Sequence, residues 1–406
     1  MPESAGSAVA RSFKVHLAVI QPTSFCNINC AYCYLPGRAA PQKMARTTLE
    51  QTFHFLLRAP HHLTGTLPVS WHASEPLVMP QEFYAQAFEL QKLIAPSVSI
   101  ENCFQTNATL LNQDWCDFIK HWNIRVGISV DGPKRIHDAN RVDRAGRGTF
   151  DRVRRGIELL QANGIEFSAI GVLSHKSLEY PDEIWAFFRD ISVDWLSLNF
   201  EDVEGAHSKS SLSEPSTVAQ ARAFFARLLR LRSQESPGIY IRELDFLVER
   251  IAQAGKPFRR IENSPLAIVG CSWDGNVSTF SPELIGIKDP IYGEFVFGNV
   301  ARDTLDSVRC NPKLERVYDD IQKGVQLCRE TCEYFCVCGG GIPSNKLHEN
   351  GTFHSTQTLA CRLRIKTLCD VVMEFLEQES GVTVKAGLTI EERFAQLSAV
   401  CKSCIH

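Results

Sequence analysis

The chain has 406 residues, with 43 Lys and Arg against 46 Asp and Glu and a formal net charge of −3. A hydrophobic fraction of 44% and a charged fraction of 22% are ordinary for a globular protein, which excludes a largely disordered chain and a basic nucleic-acid binder. No apolar run reaches the roughly 18 residues of a membrane span, and residues 1–11 carry no signal-peptide core, so a cytoplasmic protein free of membrane and nucleic acid is expected.

In chain order, an apolar, β-prone run at 15–20 precedes helical spacing over 47–57. Strand candidates at 68–72, 98–105, 124–130, 165–173 and 194–200 then alternate with helical stretches at 81–94, 114–122, 150–162, 178–189 and 217–231. Six such units predict a parallel sheet with right-handed crossovers. A closed eight-unit barrel takes about 250 residues, so an open, partial (β/α)6 barrel is expected over 14–235. A bridging segment at 236–268 contains a helical stretch at 245–254. From Cys271 the pattern changes to Gly-rich turns, short β segments and cysteines, within a second domain at 269–385 that opens on a hairpin at 272–278. Residues 1–13 and 386–406 read as tails.

Cysteine is the unusual residue, with 15 against 4 methionines. In a reducing compartment that points to metal or redox chemistry rather than disulfides. Cys26, Cys30 and Cys33 have the spacing C-x3-C-x2-C and follow the first strand. Three thiolates in one loop can hold three irons of a [4Fe–4S] cube and leave the fourth open. A zinc site or packed core thiols are the alternatives. In barrels of this kind chemistry sits at the C-terminal ends of the strands. The polar residues fall there: His72-Ala73-Ser74-Glu75-Pro76 after the second strand, Gln105-Thr106-Asn107 after the third, Ser129-Val130-Asp131-Gly132 after the fourth.

The cysteine loop, with Tyr32 in its aromatic position, resembles that of the radical S-adenosylmethionine (SAM) superfamily. The resemblance implies that the open iron binds SAM, that reductive cleavage yields a 5′-deoxyadenosyl radical, and that this radical takes a hydrogen from the substrate. Ala73-Ser74-Glu75-Pro76 resembles the family's Gly-Gly-Glu-Pro segment with both glycines replaced. By the same resemblance Ser74, Glu75, Thr106, Asn107, Ser129, Arg141 and Leu173 are expected around SAM.

The second half resembles a SPASM domain, which implies an auxiliary [4Fe–4S] cluster on Cys328, Cys332, Cys338 and Cys361. A zinc knuckle is the alternative. A second auxiliary cluster would need partners for Cys271. Phe280, Ser281 and Asp303 stand where two of them are expected, leaving Cys310, Cys336, Cys401 and Cys404 as candidates. The stretches Phe280-Ser281-Pro282-Glu283-Leu284 and Tyr334-Phe335-Cys336-Val337-Cys338-Gly339-Gly340-Gly341 resemble the SPASM peptide maturases that build cyclophanes in ribosomal peptides, the triceptide or Grr/Xye-type branch. That implies joining of a side-chain β-carbon to an aromatic ring, with Glu283 or Asp274 as proton acceptor. It also implies a precursor peptide as substrate and an external one-electron reductant such as a flavodoxin or ferredoxin. Sulfatase-maturase-like oxidation and thioether formation are the rival enzyme readings; the absent Gly-x4-Cys cysteine weighs against the former.

Overall fold

A computed structural model describes residues 13–59, 62–63, 65–235, 238–382 and 387–404. Strands β1 (Leu17–Ile20), β2 (Leu67–Trp71), β3 (Ile100–Thr106), β4 (Arg125–Ser129), β5 (Phe167–Leu173) and β6 (Trp195–Phe200) alternate with helices α1 (Arg46–Leu57), α2 (Gln81–Ile94), α3 (Gln113–Trp122), α4 (Lys134–Asn140), α5 (Phe150–Ala162), α6 (Pro181–Asp190) and α7 (Thr217–Ser233). Each of the six strands pairs in parallel with the next. The expected partial barrel is therefore present, continued at one edge by β7 (Tyr240–Ile241).

Period-two burial along β2 sends Leu67, Val69 and Trp71 into the layer between sheet and helices. Trp71 is met edge-on there by Phe53, Phe83, Tyr84 and Phe88. Each such side chain contributes about 1.5–3 kcal/mol by leaving water. The opposite face of β2 carries the half-exposed Pro68, Ser70 and, just beyond its end, His72.

The expected boundary at 269 is not a break in the sheet. Strand β8 (Ile268–Cys271) pairs in parallel with β1, and β9 (Asn276–Thr279) turns back antiparallel to it. The physical reason is the free edge of β1, whose unpaired N–H and C=O groups need a partner once buried. Short pairs follow: β10 (Lys288–Asp289) with β11 (Gly293–Glu294), and β12 (Gly298–Asn299) with β9.

The bridging segment forms α8 (Arg242–Ala252). Beyond the sheet the second half is largely helical: α9 (Leu305–Arg309), α10 (Pro312–Thr331), α11 (Phe335–Cys338), α12 (Pro343–Asn350), α13 (Leu359–Cys361), α14 (Leu368–Ser380), which contains the helix predicted over 370–378, and α15 (Ile390–Cys404). Helix α10 buries Leu314, Val317, Ile321, Val325 and Cys328 at helical spacing behind an Asn311 cap and Pro312. The C-terminal segment is no tail where described, since α15 packs on α8 and α14. The expected N-terminal tail falls, apart from Phe13, outside the described residues. Among the described residues no helix is long and apolar enough to cross a membrane.

Candidate active site

The cysteine loop leaves the C-terminal end of β1 and is tied down by arginines that sequence reading did not single out. Arg38 donates to the carbonyls of Cys30, Cys33 and Leu35, and Arg144 donates to that of Cys26. Burial pushes the Cys26 thiol up to about 12 and the Cys30 thiol up to about 11, with the charges of the neighbouring thiols adding to the effect. These thiols become thiolates when a cationic centre supplies the charge. The three thiols are free and near enough for their charges to reach one another, and two sit beside donors: Asn107 Nδ2 is 3.8 Å from Cys26 Sγ and Arg141 Nη1 is 4.0 Å from Cys30 Sγ. This donor set fits an iron–sulfur cube. Among the described residues no three His, Cys, Asp or Glu side chains gather tightly enough to hold a single metal ion.

Behind the loop, Asp131 at the end of β4 organises three partners. Its Oδ1 accepts from Arg141 Nε at 3.0 Å and from Val172 N at 2.9 Å, and its Oδ2 accepts from the Tyr32 hydroxyl. Arg141 lies over the Tyr32 ring, 5.4 Å from its centroid. Gly132, at φ +131°, makes the turn that brings Asp131 here, and a Cβ there would meet Ile184.

The expected SAM residues gather beside this group. Ala73, standing for a glycine, takes φ 60°, so the replacement is tolerated as backbone strain; its carbonyl accepts from Gln21 Nε2 at 2.7 Å. Among the described residues Ser74 Oγ is buried with no hydrogen-bond partner, an orphaned group of the kind a bound ligand satisfies. Glu75 accepts from Leu77 N at 2.9 Å, Thr106 Oγ1 at 2.7 Å and Asn107 N at 2.8 Å. A carboxylate has about four lone-pair sites, so one remains. Glu75 therefore latches the end of β2 to that of β3, a structural role beside its expected place at SAM. Burial outweighs those three bonds and lifts its carboxyl to about 7. Ser129 Oγ accepts from Gln105 Nε2 at 3.1 Å. Leu173 departs from expectation, because its side chain is fully buried in the core while Val172 lies on the other face of β5.

The two carboxylates offered as proton acceptors separate. Asp274 is exposed and holds its own hairpin, accepting from Ser272 Oγ at 2.5 Å and Asn276 Nδ2 at 2.7 Å. Glu283 instead joins a partly buried group missed from sequence. Ser281 Oγ donates to Glu283 and lies 3.5 Å from Ser344 Oγ, which donates to Glu204 Oε1 at 2.8 Å. Asn345 Nδ2 bridges Glu204 and Asp202, and Arg364 donates to Asp202 at 2.6 Å. Burial, with mutual repulsion among three carboxylates served by one arginine, raises Glu204, Glu283 and Asp202 above the ordinary range. Tyr34 connects this group to the cysteine loop. It follows Cys33, its hydroxyl is 3.4 Å from His72 Nε2, and the charges of Glu283 and Glu204 reach it. Gly205, at φ +55°, lets the loop beyond β6 cross Tyr34, since a Cβ there would stand 2.2 Å from Tyr34 O. Asp202 and Glu204 follow β6 directly, so the strand-end rule applied to that strand was the signal that would have found them. Two clefts of about 360 and 310 Å³ adjoin at Glu201 beside these residues.

A second group of thiols lies in the C-terminal half. Cys328 is in the last turn of α10, Cys332 caps it, and Cys338 and Cys361 end α11 and α13. The charges of Cys338, Cys332 and Cys328 all reach Cys361, whose thiol burial pushes up to about 12. Four free thiols whose charges reach one another are the ligand number of a fully ligated cube. The Gly339–Gly341 turn is held by Asn263 Nδ2, 3.2 Å from the carbonyls of Gly339 and Gly341. Cys271 stands apart: it is fully buried in the apolar core and burial is the sole cause pushing its thiol up to about 12. The side chains of Cys401 and Cys404 lie outside the described residues.

The model of the radical SAM superfamily matches residues 20–188. With the parallel sheet and the cysteine loop, that identifies residues 20–188 as a radical SAM domain, of the enzyme superfamily that uses a [4Fe–4S] cluster and SAM. The chain is 43% identical over 372 residues to the uncharacterized protein sll1766 of Synechocystis sp., across 90% of this chain and 93% of that one. It is also similar to the serine-type anaerobic sulfatase-maturating enzyme of Bacteroides thetaiotaomicron, 27% identical over 345 residues and covering 79% and 80% of the two chains. Among solved structures, anSMEcpe with bound AdoMet shares the fold at a TM-score of 0.75, with 21% identity over 90% of this chain and 99% of that one. Streptococcus suis SuiB bound to precursor peptide SuiA shares it at 0.62, with 14% identity, 86% of this chain and 76% of that one.

Proposed function

We propose that this enzyme is a peptide maturase that joins a side-chain β-carbon to an aromatic ring in a ribosomally made precursor peptide. The observation that carries the reading is the carboxyl group of Glu283, Ser281, Ser344 and Glu204, whose loop meets the cysteine loop where Ala206 N donates to the Tyr34 carbonyl at 2.8 Å. Solved relatives supply the substrate class: SuiB is bound to precursor peptide SuiA and anSMEcpe to the Cp18Cys peptide.

Cys26, Cys30 and Cys33 would hold the SAM-binding cluster and Cys328, Cys332, Cys338 and Cys361 an auxiliary one. Bound together, cluster and SAM supply abstraction of a hydrogen atom from substrate. Ser74, Glu75, Thr106, Asn107, Ser129, Tyr32 and Arg141 orient SAM, and the arginine-tied loop fixes the cluster's place. Bond formation to the ring leaves one proton and one electron to remove. Glu283 takes the proton. Ser281 and Ser344 each pass on one hydrogen as they receive another, so the proton reaches Glu204 with both hydroxyls restored. The cluster that Cys328, Cys332, Cys338 and Cys361 would hold would supply an acceptor for the electron, and an external one-electron carrier would remove it.

Resemblance to the Bacteroides enzyme across most of the chain favours a second reading, oxidation of a serine or cysteine in a protein substrate. Coexpression with a short peptide encoded beside this enzyme, followed by mass spectrometry, separates the two. A cross-link removes two hydrogens and suppresses fragmentation within the ring. An oxidised serine also loses two hydrogens, but fragments normally and reacts with a hydrazide. The Cys26, Cys30, Cys33→Ala triple variant is expected to leave the peptide unmodified and to form no 5′-deoxyadenosine under dithionite. Nucleoside formation by that variant would remove the SAM assignment.

A further inference from the structure

Among the described residues Lys346 is a buried lysine with no carboxylate paired to it. It sits on α12 at 3% exposure, between Gly339–Gly341 and α10. Its Nζ lies 3.0 Å from the carbonyl of Gly324 and 3.4 Å from Cys328 Sγ.

An isolated buried ammonium is one of the costliest groups a fold can carry. A carbonyl and a neutral thiol do not offset that cost. The surroundings are nevertheless shaped to admit it. A Cβ on Gly324 would stand 3.2 Å from Lys346 Nζ and 2.1 Å from Phe353 O, and one on Gly341 would stand 3.4 Å from Lys346 Cε. Gly324 leaves room for the lysine head beside the sulfur, and Gly341 packs in ordinary contact with its stem. What a buried ammonium needs there is negative charge, and a cube held by four thiolates carries net negative charge in its oxidised state and more when reduced.

We infer that Lys346 is a positioning residue for the auxiliary cluster, placed against Cys328 to favour the cluster's reduced state and so fit it to accept the electron released on ring closure. A fixed cation beside one sulfur stabilises the more negative state more strongly, and a hydrogen bond to sulfur acts in the same direction. The one-electron step is a reduction of the cluster, with no bond made or broken in Lys346. The inference rests on assigning an auxiliary cluster to Cys328, Cys332, Cys338 and Cys361.

The test uses the full chain carrying Cys26, Cys30 and Cys33→Ala, so that the auxiliary cluster is observed alone. The protein with Lys346, the Lys346→Met variant and the Lys346→Arg variant are reconstituted anaerobically and counted for iron and sulfide. Each is then titrated potentiometrically with detection by electron paramagnetic resonance. Lys346→Met is expected to keep about four irons while its reduction equilibrium weakens at least tenfold, about 59 mV for a one-electron couple. Lys346→Arg is expected to recover part of that shift. Full iron with an unmoved potential overturns the inference and leaves the cluster assignment standing. No iron in the Lys346 protein, or iron unchanged on Cys361→Ala, overturns the assignment and the inference with it. If Lys346→Met takes up no iron, Lys346→Gln, which keeps a donor and loses the charge, is titrated under the same criterion.

Discussion

Glu75 carries the sharpest tension at the scale of single residues. Burial lifts its carboxyl from the ordinary value of 4.5 to about 7, although three donors hold it. A carboxyl whose pKa rises on folding favours the folded state while protonated. That stabilisation is complete below 4.5 and is lost as pH rises through about 7. The difference between the two values corresponds to about 3 kcal/mol across the interval. Urea denaturation of the protein without SAM should therefore show stability falling over that window, with a flatter profile for Glu75→Gln. Identical slopes would mean that Glu75 does not titrate there. An ammonium group brought close by SAM would favour the carboxylate and reverse the loss, so SAM should stabilise the parent protein more near neutrality than in acid. At the same scale Asp131 shows why spacing alone is incomplete. Ser129, Asp131 and Arg141 were legible as members of one pattern, but only the fold makes Arg141, Tyr32 and Val172 converge on Asp131.

Among the elements, the helices facing the sheet were legible because each buries one stripe at a regular period. Helices α2 and α5 occupy the very residues the spacing predicts, 81–94 and 150–162. Helix α10 obeys the same rule, yet its pattern lies in a region whose cysteines and glycines suggest turns. The C-terminal helix differs in kind. Its sequence is weakly amphipathic and reads as a tail, and it becomes an element by docking. Ile390, Phe394 and Leu397 are buried, at 4%, 3% and 0% exposure. Removing the Phe394 ring should cost about 3–5 kcal/mol, the range for large-to-small changes in a core. Chemical denaturation of Phe394→Ala checks this, and a change below about 0.5 kcal/mol would mean that α15 contributes no core.

For the whole molecule, iron stoichiometry is the broadest measure of how the thiols are shared out. Two groups of facing cysteines predict about eight irons per chain, from two four-iron clusters. Cys271→Ala should leave that count unchanged, because the thiol is packed in the apolar core. About twelve irons, falling by four in that variant, would place Cys271 in a third cluster. The strand-and-helix alternation, the cysteine loop after the first strand and the polar residues at successive strand ends were all legible in the sequence. Each depends on neighbours along the chain: side-chain period, turn chemistry and thiol spacing are local properties. The pairing of β8 with β1 was not legible, because it joins residues some 250 apart and answers an edge that exists only once the sheet has formed. The same holds for the carboxyl group. Ser281, Ser344, Glu204 and Asp202 come from three stretches of chain, and only packing the C-terminal half against the open end of the barrel brings them within hydrogen-bonding distance. Local pattern determined which residues could carry chemistry; tertiary packing decided which of them share a buried space, since desolvation and mutual charge act only between groups that the fold has already brought together.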